Sequence, residues 1–311
     1  MSHRGAVLRA GGYAAVVTPT AAALAALTFG GRDLVVPFDP EGPIPDFRGI
    51  VAAPWPNRLA DGRYTAGGRG LEVPVNEPER GCALHGLAFS RQWELVAHDG
   101  ASAAFALDLA PNAGYPFRVR LEARYAVRAE GLWDPDDPGG LDWSVRAVNV
   151  GEGIAPYGVC PHPYLVAGPS PLDSWELELP AEEFLEVTPE RLLPVGVRAV
   201  AGRPFDFTVA RPIGPTEIDH AFTGVRFDAA GTARVTVRDP GGAGVVMQWD
   251  AACPWVQVHT ADRPAPAPNR LGLAVEPMTC PPNAFASGID VVWLGPGHEH
   301  EARWRIHALE A

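Results

Sequence analysis

Along RVRLEARYAV (118–127) apolar and polar residues alternate with a period of two, and LDWSVRAVNV (141–150) does the same. That alternation predicts strands with one face on a core and the other towards water. WELEL (175–179) repeats it on a shorter scale. ARVTVRD, PGGAG and VVMQWD follow one another in 233–250 and read as a β-hairpin around a glycine-rich turn. VQVHT (256–260) and IDVVWL (289–294) are further strands, and ARWRIHAL (302–309) reads as a closing one. TAAALAALTF (20–29) has a helix-like alanine content, but it lies between YAAVVTP and GGRDLVVPF and is read as a strand. No linker, fixed-period repeat or low-complexity tail interrupts the pattern, and PAPAP (264–268) reads as a stiff surface loop. The pattern predicts one all-β domain over 1–311, a large antiparallel β-sandwich of two packed sheets.

Composition sharpens this picture at a few points. With 311 residues and 47% apolar content a large core is available. The 34 glycines and 33 prolines punctuate the chain every few residues and leave little room for long helices. No apolar run is long enough to span a bilayer, and MSHRGAVLRAGGY lacks the apolar stretch of a secretory signal, so a cytoplasmic location is the expectation. A net charge of −12 argues against nucleic acid or an anionic membrane as partner. All 25 basic residues are arginine, which excludes Schiff-base lysines, a P-loop lysine and lysine general bases. Cys82, Cys160, Cys253 and Cys280 are widely spaced without a CxxC, and are expected to be buried free thiols.

Five stretches carry polar, glycine and proline residues that strand building does not require. They are PWPNRLADGRY (54–64) with Asn57 and Arg58, ALHGLAF (83–89) with His85, YGVCPHPYL (157–165) with His162, TEIDHAFTG (216–224) with Asp219, and LAVEPMTCPPNAF (273–285) with Glu276. Each has a plain reading: an arginine paired with a carboxylate, a satisfied core histidine, a rigid turn, a turn cap, a strand end in water. Together they offer two imidazoles, two carboxylates and a guanidinium. The two prolines beside His162 restrict their neighbours to extended geometry, which suits a side chain that must be aimed. A carboxylate base and an imidazole acid can move two protons in concert across a substrate placed between them. No metal site is expected, because the histidines are far apart and no HxxxH pair occurs. GHEHE (297–301) is read as a solvated terminus with adventitious metal binding at most. No GxSxG supports a serine nucleophile.

NR at 57–58, LHG at 84–86, HPYL at 162–165, Asp219 before HAF, and EP at 276–277 followed by PPNAF resemble, in order and spacing, the aldose 1-epimerase (galactose mutarotase-like) family over nearly the whole chain. The resemblance implies a β-supersandwich and a cofactor-independent isomerase that interconverts the α and β anomers of a free aldohexose or related sugar. It implies Glu276 as general base and His162 as general acid, with Arg58, His85, Asp219 and, more weakly, Asn57 binding the sugar. The acid role requires a cationic His162 and hence an acidic neighbour. The partner implied is a small sugar, and the chain is expected as a monomer or homodimer. Two departures stand out: Pro163 replaces the serine after the catalytic histidine of the better-known galactose mutarotases, and Met278 replaces a glutamine. Both are expected near the sugar and count against galactose. The CPHPYL and EPMTCPP stretches look closer to a bacterial branch that includes mutarotases of a sulfonated glucose. Trp55 and Trp255 could stack on a pyranose, but core packing is the better reading of either. The alternatives are a hexose-6-phosphate 1-epimerase, with Arg63, Arg69, Arg80 and Arg91 as phosphate candidates, and a non-catalytic sugar-binding or sensor protein.

Overall fold

Alternation along the chain becomes a nine-stranded sheet in the computed structural model, which describes residues 5–131 and 138–311. The first four residues of the N-terminal stretch considered for targeting lie outside the described residues. In spatial order the sheet runs Glu94–His98, Ser102–Leu109, Val119–Arg128, Gly140–Asn149, Glu299–Leu309, Gly244–Asp250, Thr232–Arg238, Glu176–Glu178 and Arg211–Pro212. In Val119–Arg128 the residues Val119, Leu121, Ala123, Tyr125 and Val127 are buried while Arg120 and Arg124 face water, as the period of two requires. The predicted hairpin is present, with Thr232 opposite Asp250 and Arg238 opposite Gly244.

A six-stranded sheet runs Tyr164–Leu165, Leu273–Met278, Trp255–His259, Asp219–Val225, Ala181–Val187 and Pro194–Ala199, and a four-stranded meander covers Ala6–Ala10, Tyr13–Val17, Leu24–Phe29 and Arg32–Asp33. All the strand ladders within these three sheets are antiparallel. One contiguous apolar cluster draws on all three, with Leu8, Tyr125, Trp143, Phe222, Trp249 and Val275 among its members. Burying side chains of this size contributes roughly 1.5–3 kcal/mol each. Among the described residues helix is confined to Ala284–Ser287 and three single 3₁₀ turns.

Three expectations need correction. In 20–29 the strand begins only at Leu24, because Ala21 and Ala22 turn through left-handed backbone at φ 59° and 47°. In 289–294 only Val292–Leu294 is extended. GHEHE is exposed at Gly297, His298 and Glu299 as expected but is no terminus: its last three residues begin the strand Glu299–Leu309 in the middle of the large sheet, and the half-buried His300 ring lies 6.0 Å from that of Tyr157. The four cysteines are free and buried as expected. Both tryptophans of interest are structural: Trp55 donates to the Ala83 carbonyl and Trp255 to Asp290.

Candidate active site

The central strands of the six-stranded sheet are covered on both faces, and this builds the floor of a pocket. In Leu273–Met278 every residue is buried, with Leu273 and Val275 in the main core and Ala274, Glu276 and Met278 on the opposite face. Trp255–His259 divides likewise, sending Val256 and Val258 to the core and Trp255, Gln257 and His259 to the other side. The register sets Gln257 opposite Glu276, and Asp219 opposite His259. One sheet face thus presents Asp219, Gln257, His259 and Glu276 to a cavity of about 320 Å³, which Asp46, Phe47, Asn57, Arg58, Leu84, His85, His162, Tyr164 and Arg263 also line.

The remaining wall comes from the proline-rich stretches, which are bonded to one another. Arg58–Ala60 pairs with Cys82–Leu84, so NR and LHG lie side by side. The Gly158 amide donates to the Pro54 carbonyl, Val159 N–H to Thr279 Oγ1, and Asn283 N–H to the Arg58 carbonyl. Asn283 of PPNAF therefore braces the Arg58 strand and stays out of the cavity. Gly86, at φ 76°, lies where a Cβ would stand 2.2 Å from the Ala53 carbonyl oxygen, which explains the glycine of LHG. His162 lies between two short pairings, Cys160–Pro161 on Val51–Ala52 and Tyr164–Leu165 on Leu273–Ala274. Its own carbonyl accepts the Gly49 amide. Clamped at both ends, the ring stacks on Tyr164 with centroids 5.5 Å apart, and stands edge-on to His85 at 4.8 Å.

His162 Nε2 lies 3.3 Å from Glu276 Oε1, and the Cys160 thiol donates to Glu276 Oε2 across 3.8 Å. Arg58 forms a two-pronged ion pair with Glu77, Nε to Oε2 and Nη2 to Oε1, both at 2.8 Å. Gln257 donates to Asp219 Oδ1 at 2.6 Å, leaving its buried Oε1 without a partner. Nδ1 of His85 and Nδ1 of His162 are likewise buried and unpartnered. At the mouth Asp46 accepts from Arg48 at 3.1 Å and pairs with Arg263 at 2.5 Å.

Burial dominates the electrostatics. It raises the Glu276 carboxyl well above the usual carboxylate range, and the Asp219 charge adds to that. It lowers His162 to about 3 and, with the charges of His162 and Arg58, lowers His85 well below the ordinary imidazole value. The acidic neighbour expected for His162 is present as Glu276, but a cationic His162 is not the resting state. Burial thus favours the neutral form of each group, a protonated Glu276 carboxyl and an uncharged His162 imidazole 3.3 Å apart.

All six residues singled out in the sequence line this one cavity. Arg58 also bears out its plain reading as the partner of a carboxylate. Arg63, Arg69, Arg80 and Arg91 do not line it; Arg63 pairs with Glu72 and Arg80 with Glu77. Met278 does not face the cavity either, being fully buried in an apolar cluster with Trp255 and Cys160. The glutamine-to-methionine departure therefore does not line this cavity. Sequence reasoning missed Asp46, Phe47, Tyr164, Gln257, His259 and Arg263. For Gln257 and His259 the signal was present, since alternation in VQVHT puts both on the polar face.

A family model described as aldose 1-epimerase matches residues 6–307. The chain belongs to the aldose 1-epimerase family. YihR of Escherichia coli K12, an uncharacterized protein, is 36% identical over 300 residues, spanning 96% of this chain and 92% of its own. Among solved structures, a GalM/aldose epimerase homologue from C. elegans superposes with a TM-score of 0.83 at 20% identity, covering both chains fully at 100%. A galactose 1-epimerase from Lactobacillus acidophilus NCFM gives 0.77 at 18% identity, over 97% of this chain and 93% of that one. These neighbours establish the galactose mutarotase-like β-sandwich, and membership of the aldose 1-epimerase family makes the activity that of a sugar epimerase. No described helix is long and apolar enough to cross a membrane.

Proposed function

We propose that this aldose 1-epimerase interconverts the α and β anomers of a free aldohexose or related sugar without a cofactor, with Glu276 as base and His162 as acid. The observation that carries the reading is the 3.3 Å contact between His162 Nε2 and Glu276 Oε1, buried on the cavity wall. Anomeric O1 and ring O5 are both bonded to C1, so groups serving the two oxygens must stand side by side, as these do. The pair holds one proton. Its transfer across the contact gives imidazolium beside carboxylate, the form the reaction uses.

Glu276 takes the O1 proton as His162 delivers its own to O5, and the C1–O5 bond breaks to give the open-chain aldehyde. Rotation about C1–C2 presents the other carbonyl face, and reclosure returns both protons. No electrons are exchanged and no bond to the protein forms, so the step calls for no cofactor. Arg58, Asp219, His85 and Asn57 bind hydroxyl groups around the ring. Each proton-transfer role supplies on the order of 10²–10⁴-fold. The hexose-phosphate reading loses support because its candidate arginines lie off the cavity.

The test is anomer exchange by NMR on glucose, galactose and a sulfonated glucose, with Glu276→Gln and His162→Ala as controls. Acceleration by the unmodified protein on one of them, lost in both variants, is expected and ranks the substrates. No acceleration on any sugar, with unchanged weak binding in both variants, would replace the enzyme by a sugar sensor.

A further inference from the structure

His85, His162 and Glu276 come from three distant stretches, yet one ligand atom of each can be chosen so that all lie within 4.8 Å of one another. Two imidazoles and a carboxylate form a donor set that zinc accepts, with bonds of about 2.0–2.2 Å and a fourth position left open. The 3.3 Å separation of His162 Nε2 and Glu276 Oε1 is that of neighbouring ligands on such a centre. One further feature points to a ligand here: the three side chains line an open cavity of about 320 Å³ that leaves room for a water on the metal.

We propose that His85, His162 and Glu276 form a reversible site for one borderline divalent cation, zinc above all, whose occupancy and that of the sugar exclude each other. Zinc would take the lone pair of His162 Nε2 and an oxygen of Glu276, the two atoms through which protons move in the reading above. The exclusion arm rests on that reading, whereas cation binding itself does not. The same site is built to hold the cation weakly and reversibly. With Nε2 on the metal, His162 Nδ1 lacks the carboxylate or carbonyl that normally braces a ligating imidazole. Missing outer partners of this kind typically weaken a metal site by ~10–100-fold.

The experiment is a calorimetric titration of the chelator-stripped full chain with zinc chloride. One zinc per chain is expected, bound at least ~10-fold more weakly in Glu276→Gln and in His85→Asn, since losing a ligand costs no less than losing an outer partner. Asparagine tolerates the left-handed backbone of position 85, and circular dichroism establishes that each variant is folded. The double variant His298→Ala/His300→Ala controls for the other histidine pair and is expected to bind as the parent does. Cobalt(II) offers a readout that needs no variant, because four-coordinate cobalt absorbs far more strongly in the visible than the hydrated ion. Absence of binding, binding unaffected by Glu276→Gln and His85→Asn, binding lost in the terminal double variant, or a hydrated cobalt spectrum would each overturn the proposal. For the exclusion arm, zinc should raise the KM for the sugar that exchanges fastest and leave kcat unchanged. If no sugar exchanges, the mutarotase reading fails while the titration still decides the cation site.

Discussion

Glu77→Ala separates the ion pair that Arg58 makes from the sugar contact proposed for it. The Arg58 guanidinium meets Glu77 through two parallel 2.8 Å hydrogen bonds, with side-chain exposures of 11% and 10%. Arg80 adds a third contact to the same carboxylate at 3.3 Å from a more open position, 31% exposed. Removing one partner of a buried pair costs about 3–5 kcal/mol, chiefly because the other charge is left without compensation. Both residues here are close to an open cavity, so the lower end applies, about 3 kcal/mol. Freed of its clamp, the guanidinium is no longer held at the cavity wall, and the charge-assisted hydrogen bonds it offers a sugar lose their geometry. Such bonds contribute ~1.5–3 kcal/mol, so KM should rise on the order of tenfold or more while kcat changes little. Glu77→Gln keeps the shape and one acceptor and should fall between the parent and alanine. Urea unfolding reads the first effect and anomer exchange over a range of sugar concentrations the second. If Glu77→Ala unfolds at the parent's urea midpoint and keeps its KM, the clamp is not what sets Arg58.

Two further expectations concern the proton pair. The active form of the pair carries one proton. A second enters only as the pH falls towards the His162 value of about 3, and the one needed leaves as the pH rises through the raised value of Glu276. The acid limb of kcat/KM should therefore lie far below the ordinary imidazole value of about 6.5, and an acid limb centred there would refute the assignment. Cys160 donates to Glu276 Oε2 at 3.8 Å and so favours the carboxylate. Cys160→Ala should move the alkaline limb to higher pH, at a cost of about 0.5–1 kcal/mol for a weak donor, and Cys160→Ser should restore it. An alkaline limb that stays in place in Cys160→Ala would reduce the thiol to packing.

Much of the fold was legible because one-sided burial writes itself into the sequence. Val119–Arg128, Gly140–Asn149 and Thr232–Arg238 each have one face on the core, so their alternation can be read directly. Leu273–Met278 is buried on both faces, and its run of apolar residues hides which positions face the core and which the cavity. The alanines at 21–22 look helical by composition, yet they are turn residues fixed by hydrogen bonds to distant segments such as that of Ala21 N–H to the Arg91 carbonyl. Contacts of that range leave no local signature.

The site divides along the same line. His162, His85 and Arg58 could be picked out because proline and glycine around them serve close approaches that strands do not need, as at Gly86 against Ala53. Gln257 and His259 sit in an ordinary strand, where alternation gives the face but not what that face looks onto. Asp46, Phe47 and Arg263 belong to loops brought to the cavity mouth by tertiary contacts, including the ion pair between Asp46 and Arg263 themselves. Glu276 belongs to both classes. Its strand fixes it rigidly opposite Gln257, while the proline-bounded segment that pairs with the start of that strand aims His162 at it. Neither element alone raises a carboxyl and lowers an imidazole so far. The shifts arise because the sandwich buries both groups and leaves His162 Nε2 and Glu276 Oε1 3.3 Å apart, the arrangement on which the proposed proton exchange rests.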